Sequence, residues 1–317
     1  MLKILFLLFS CFVSVNAIAS KFVIATAIEG GLYARIGGLL CAQLNSDNKN
    51  SCDLVYSSGS GDNINLLSKN QINVFFAQED VLYNAYNGLS DFYSKGKQSG
   101  LRKIIPLYPE TLNVIVSKDS TIDSVSDLKS KNIRILGSRS GSLFTARIYV
   151  DLNQWGTDDY KNVTYSKDYD DSFNDLCGDS LDAVVVVSGN VSPIIQKYVK
   201  QCNLKFISVE GMSFVLTKRY PYYFKANIPA SLYDSSLENV KSYGVYAFLA
   251  TTYTLSNEDM KTIIDAYIKI LPQLVKDNPN LDINNKSFVN DDFKNNRDGV
   301  PYHNFAIGYY KSIGLIK

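Results

Sequence analysis

Histidine is almost missing from this chain: His303 is the only one in 317 residues. It stands beside Pro301 near the C-terminal end, apart from any cysteine or serine cluster, and reads as a structural or surface residue. Metal centres and acid–base relays draw heavily on histidine, so zinc chemistry and histidine-activated nucleophiles have little support. No Cys-x-x-Cys pair occurs among the five cysteines, which removes the thiol–disulfide exchange signature. Excess charge is missing as well. Lys and Arg number 32 against 31 Asp and Glu, so there is no basic field to hold nucleic acid or an anionic membrane. Beyond the first residues, no apolar run approaches membrane-spanning length.

Catalytic and nucleotide signatures are incomplete. Gly137 and Gly141 enclose Ser138, Arg139 and Ser140, whereas a nucleophile elbow needs serine at 139. Gly59 and Gly61 are followed by Ile64 where a dinucleotide loop needs its third glycine, and no phosphate-loop lysine follows either glycine turn. No catalytic residue, metal site or cofactor is expected. Asn162 and Asn190 match glycosylation acceptors, a match that chance explains at this asparagine and serine content.

The chain opens with Lys3, an apolar stretch over 4–15, and Ala17-Ile18-Ala19. That is the layout of a secretory signal peptide at 1–19, cleaved after Ala19, and it sends the mature protein to the periplasm. The remaining chain is long enough to split into two domains. Loss of Cys11 with the leader leaves Cys41, Cys52, Cys177 and Cys202, an even set suited to disulfides in an exported chain. Pairing Cys41 with Cys52 and Cys177 with Cys202 is the local choice among three connectivities, each pair contributing roughly 2–4 kcal/mol. Four buried thiols are the alternative.

The chain is arranged around residues 22–38. A short apolar run at 22–25 predicts a buried strand, Gly30 and Gly31 predict a turn, and Leu32, Ile36, Leu39 and Leu40 recur at helical spacing. The unit repeats twice, with strands at 52–57 and 72–77 and turns carrying Ser58, Gly59, Ser60 and then Gln78. Three strand–turn–helix units in succession describe a parallel α/β layer. Their turns emerge at one sheet edge, where ligands meet helix N-termini.

Further strands are predicted at 101–107 and 112–117, separated by 108–111, and at 133–136. The turn 137–142 then opens an apolar helix for which Ser142 is the natural N-cap. It repeats the opening motif and reads as the anion-facing turn of a second α/β domain, an ordinary strand–helix loop being the alternative. The valine run within 181–187 predicts a strand buried on both faces, ended by Gly189 and Asn190, before Ser192 and Pro193 start a helix. A strand at 206–209 closes that domain, and one at 243–251 returns to the first. Ser124 with Asp127, and Ser256 with Asp259, fit capping boxes. Residues 276–298 read as solvated loop and short helix.

Taken together, these motifs resemble the TAXI family of solute receptors, which serve tripartite ATP-independent periplasmic (TRAP) transporters. Thr26, Gly30, Gly31, Tyr33, Gly37 and Gly38 match the family's opening glycine motif. The turn 58–63, the stretch 76–81 with Ala85, Tyr86 and Gly88, the run 107–110, and residues 127–129 follow in the family's order. So do 137–145, Ser192-Pro193 and Gly244-Val245, and the likeness spans about 22–313.

The resemblance implies an α/β, type II-like periplasmic-binding-protein fold of two lobes with a hinge and a ligand cleft between them. Lobe I would comprise 20–113 and 240–317, and lobe II 114–239. It implies a monomeric receptor that hands a small carboxylate or amino-acid-like solute, such as a glutamate-like amino acid or a dicarboxylate, to a TRAP membrane permease. Expected ligand-facing residues are Thr26, Glu29, Gly30, Gly31, Tyr33, Ser58, Gly59, Ser60 and Gln78 on one side. Ser140, Gly141, Ser142, Thr145, Gly189 and Asn190 face them from the other.

Ala27, Ile28, Glu29 and Arg35 depart from the family pattern. Glu29 has three open roles: partner of a ligand ammonium, occupant of the anion position, or solvent-facing side chain. The rival functions are a binding component of an ABC importer or a sensor, an exported surface protein, and an enzyme on the same fold.

Overall fold

The computed structural model describes residues 20–46, 50–152, 159, 162–283, 286–295 and 299–316. The expected leader, 1–19, lies outside the described residues. The first half alternates strand and helix: β1 (Ser20–Ala25), α1 (Leu32–Asn45), β2 (Asn50–Val55), α2 (Ser60–Ser68), β3 (Val74–Gln78) and α3 (Glu79–Asn87). A long strand, β4 (Leu101–Ser117), leads to β5 (Ile133–Leu136), α4 (Gly141–Leu152), β6 (Val163–Ser166), α5 (Tyr169–Cys177) and β7 (Ala183–Ser188). Then come α6 (Pro193–Cys202), β8 (Leu204–Phe206), α7 (Glu210–Arg219), β9 (Phe224–Ile228) and α8 (Ala230–Tyr233). A second long strand, β10 (Val240–Thr252), precedes α9 (Asn257–Asp277), α10 (Lys286–Asn295) and α11 (Asn304–Ser312).

Ten strands join in the order β2-β1-β3-β10-β4-β7-β5-β6, with β8 added to β4 and β9 to β10. β1, β2 and β3 are mutually parallel, as are β5, β6 and β7. Between these two parallel groups run β4 and β10, antiparallel to each other. One end of β10 pairs with β3 and the other with β9, while the far end of β4 pairs with β7 and β8. The two long strands therefore belong to both halves, and their pairing shifts register between Ala247 and Phe248 and again between Leu249 and Ala250. Irregular pairing of this kind bends a strand pair. Apolar clusters cover both faces of each half, the largest being built from α1 and α9 against β1, β3 and β10.

Several expectations change. The segment 108–111 does not interrupt a pair of strands; β4 runs through it. Pro106 and Pro109 are tolerated there because β4 has β10 on one side, while β7 begins to pair only at Thr111. The strand expected at 206–209 lies at Leu204–Phe206. Helix α7 and strand β9 flank the tyrosines at 220, 222 and 223, in a stretch for which the sequence reading predicts no element. Both local disulfides, Cys41–Cys52 and Cys177–Cys202, are formed. The Ser256 hydroxyl accepts from the Asp259 N–H at the start of α9 (3.0 Å), and the Ser124–Asp127 box caps a 3-10 turn.

Gly37 shows how α1 is seated. A Cβ there would stand 2.5 Å from Thr26 Cγ2 and 3.0 Å from Leu54, so only glycine lets α1 lie this close to the ends of β1 and β2. Gly37→Ala is expected to lower stability by roughly 1–3 kcal/mol through overpacking, measured by urea unfolding with an unchanged m-value.

Candidate functional site

Four of the six parallel strands end in turns that deliver helix N-termini to the same place. β1 leads through Gly31 to α1, β2 through Gly59 to α2, β5 through Ser140 to α4, and β7 through Ser192 to α6. These four N-termini border a cavity of about 170 Å³. The first four N–H groups of a helix have no partner within it, and they carry the positive end of its dipole.

From the first half, Gly30, Gly31, Tyr33, Ser58, Gly59, Ser60 and Gln78 line this cavity; from the second come Ser140, Gly141, Ser142 and Gly189. Four of the residues expected there lie elsewhere. Thr26 is fully buried beneath Gly37, its hydroxyl 3.3 Å from the Val55 carbonyl. Glu29 is exposed and outside the cavity wall. Thr145 is buried and donates to Asp80 Oδ2 at 2.9 Å. Asn190 accepts from the Tyr233 hydroxyl at 2.8 Å.

The serines have structural partners that sequence did not show. Ser140, not Ser142, caps α4: its hydroxyl accepts from the Leu143 N–H at 3.1 Å and donates to Leu136 and Gly137 carbonyls. Ser142 Oγ takes the Val187 N–H of β7 at 2.8 Å. Ser60 Oγ takes the N–H of Gln78 at 3.1 Å. Asn63 fixes the floor, donating to the Thr26 and Phe76 carbonyls at 2.6 and 2.8 Å.

The two halves touch across this cavity. Gly61 N–H donates to the Arg139 carbonyl at 3.0 Å, and Gly59 packs so close to Ser140 that a Cβ would lie 3.2 Å from its Cα. The Gln78 side chain crosses from the first half onto Gly141, where an added Cβ would fall 1.1 Å from Gln78 Oε1. Phe144 of α4 stacks on Phe92 with centroids 5.8 Å apart.

A buried carboxylate joins the halves as well. Asp80 at the start of α3 accepts from Thr145 of α4 and, at 2.7 Å, from the Tyr223 hydroxyl. Burial pushes its pKa up to about 6, against the opposing pull of these two hydrogen bonds. Thr145→Val removes one of the two side-chain bonds to a charged acceptor that also takes the Val81 N–H, so a loss of roughly 1.5–3 kcal/mol is expected. Thermal unfolding at neutral pH measures it.

Three further wall residues, Tyr108, Glu110 and Tyr169, carry no site signal in the sequence. Glu110 lies in the middle of β4, 6% exposed, and accepts from the Tyr33 hydroxyl at 2.9 Å. Its pKa is pushed up to about 8, mainly by burial and further by Asp80, while the Tyr33 bond opposes the rise. Tyr108 lies beside Glu110, near enough that its hydroxyl also opposes the rise, without meeting strict hydrogen-bond geometry. Arg35 also reaches the wall, and its guanidinium meets Asp277 at 2.8 Å. Gln78 Nε2 and Tyr108 OH are buried polar atoms on the wall with no hydrogen-bond partner among the described residues.

Among the described residues no group of three or more His, Cys, Asp or Glu side chains is placed to hold a metal ion. No described helix is long and apolar enough to cross a membrane. His303 stands at the start of α11 with Nε2 3.1 Å from the Leu255 carbonyl, away from the cavity wall.

Two parallel α/β groups, a shared pair of crossing strands and a cavity between the halves define a two-lobed binding-protein fold. The chain belongs to the NMT1-like family, whose model matches residues 24–314. Among solved structures it is similar to one described as a periplasmic transporter, with 12% identity over 81% of this chain and 85% of that one, at a TM-score of 0.52. It is also similar to a protein of Bordetella bronchiseptica RB50, with 11% identity over 93% of this chain and 81% of that one, at a TM-score of 0.52. At these identities the likeness concerns the fold, which is that of the periplasmic binding proteins.

Proposed function

We propose that this protein is an extracytoplasmic solute receptor of the TAXI type, which closes its two lobes over a small organic solute and delivers it to a TRAP membrane permease. One observation carries the reading. Helix N-termini from both halves border one cavity, and two buried polar atoms of its wall, Gln78 Nε2 and Tyr108 OH, lack protein partners. Unpaired buried donors cost free energy unless a bound group satisfies them, so this wall favours a polar ligand that bonds to both.

The lobes would comprise 20–113 with 240–317, and 114–239, with the hinge in β4 and β10 where their pairing shifts. Binding would draw an open–closed equilibrium towards the closed form. The order of glycine motifs supports the TAXI assignment. The leader-like residues 1–19 and the two disulfides support an exported, periplasmic protein. The absence of a nucleophile signature favours capture over turnover, and the ligand class is a small carboxylate or amino-acid-like solute.

Thermal shift against a panel of amino acids and dicarboxylates tests this. A true ligand at 100 times its Kd adds about 2.7 kcal/mol of stability. A flat response to the whole panel would argue for an exported surface protein with no solute role. Uptake of the identified ligand by vesicles carrying the neighbouring permease, driven by an ion gradient without ATP, separates the TRAP reading from an ABC importer or a sensor.

A further inference from the structure

We propose that Glu110 is the charge-selecting residue of the cleft: its carboxylate takes the ammonium group of an amine-bearing solute, and the protein releases a proton as it does so. The inference rests on the solute-receptor reading above and adds the class of solute.

Glu110 is buried on the cavity wall, and every ionisable group that faces it is acidic, phenolic or already committed. From α1, Tyr33 donates to Glu110 Oε2 at 2.9 Å, and Arg35 is held by Asp277 at 2.8 Å. From α3 comes the negative charge of Asp80, and from α5 the Tyr169 phenol. Tyr108 stands beside Glu110 on β4 itself. β10 sets Val245 opposite Glu110, and β7 pairs with β4 only from Thr111, opposite Ser188, so neither offers a cation.

A buried carboxylate without a cation holds its proton to unusually high pH, as the rise of Glu110 to about 8 reflects. An ammonium group supplies the missing positive charge, and the wall around it is phenolic, with Tyr33, Tyr108 and Tyr169, and holds no competing free cation among the described residues. As the ammonium binds, the Glu110 O–H bond breaks, the proton passes to solvent, and an N–H···O bond replaces it. A solute bearing only carboxylates does the reverse, because it binds beside Glu110 only while that proton is retained or taken up. The solute's own carboxylate is served from the other side by the N-termini of α1, α2 and α4, with the unpaired Gln78 Nε2 among them.

The test compares common amino acids with succinate, glutarate and 2-oxoglutarate, which lack the amine. Wild-type protein is titrated calorimetrically at pH 7 in phosphate and in Tris, whose ionisation enthalpies differ. The expected result is that an amino acid binds and raises Tm, its amine-free counterpart does not, and the heat difference reports net proton release. Glu110→Gln should weaken that amino acid by about tenfold or more and abolish the buffer dependence. If the variant fails to fold, the wild-type buffer dependence decides alone.

Binding of the dicarboxylates with proton uptake, or wild-type amino-acid affinity in Glu110→Gln, overturns the inference and leaves the receptor reading intact. A co-purified solute identified by mass supports the proposal if it carries an amine and contradicts it if it does not. No response to any probe, together with a native mass equal to the bare chain, counts against both readings.

Discussion

Gly141→Ala should bind solute at least about tenfold more weakly than wild type while retaining its secondary structure. The physical reason is local. An added Cβ would sit 1.1 Å from Gln78 Oε1 and 2.1 Å from its Cδ, so the amide must leave the place it holds across the two lobes. Gln78 is 3% exposed, and its side chain cannot move without disturbing packed neighbours. Overpacking of this kind costs roughly 1–3 kcal/mol, and here it also displaces the Nε2 donor from the cleft wall.

The double variant Gly141→Ala with Gln78→Ala separates the two effects. Shortening residue 78 removes the clash, so the stability lost in the single variant should return while solute binding stays weak. The difference between the double variant and the sum of the singles measures the coupling of residues 78 and 141. Recovery of both stability and binding would mean that the Gln78 amide does not touch the solute.

Glu110→Gln should make the unliganded protein more stable at alkaline pH and flatten its pH dependence. Glu110 is shifted from 4.5 to about 8 in the folded chain. Across that window the folded state holds a proton that the unfolded state has lost. Stability therefore falls as pH rises from about 4.5 to about 8, and levels off above. A shift of this size corresponds to a penalty on the order of 5 kcal/mol above pH 8. Asp80, raised from 3.8 to about 6, adds to the same fall, but only at the acid end of the range. Thermal unfolding from pH 5 to pH 9 should show Tm of wild type dropping towards pH 8, while Glu110→Gln retains only the acid-side decline. Curves that stay parallel across the range would show that Glu110 titrates normally.

The parts of the fold that sequence revealed are those written in local pattern. Glycine pairs after short apolar runs located the turns, and apolar spacing located α1 and α9. The valine run at 184–187 marked β7 because a strand covered on both faces has no polar positions. The cleft was legible to the same extent: the turns that reach it carry glycines and hydroxyls in visible clusters.

Other features were hidden because they depend on distant partners. Glu110 is made unusual by burial within a strand, and its hydrogen-bond partner Tyr33 lies 77 residues away in sequence, which no local pattern displays. Thr145 has helical spacing from Ser142 but turns to Asp80 across the lobe contact. Thr26 sits in the opening motif because its methyl fits under Gly37, so the motif serves packing there and not the ligand. The exchange of Ser142 for Ser140 as the cap of α4 follows from the turn at Gly137, whose φ of +81° brings Ser140 Oγ beneath the helix end.

Native mass spectrometry of freshly purified protein tests the central claim, that apposed helix ends enclose a small polar solute, most directly. The account predicts a second population heavier than the disulfide-bonded chain by the mass of one small organic molecule, lost on gentle activation and absent after unfolding and refolding. A single population at the mass of the bare chain, unchanged when amino acids or dicarboxylates are added, would contradict it.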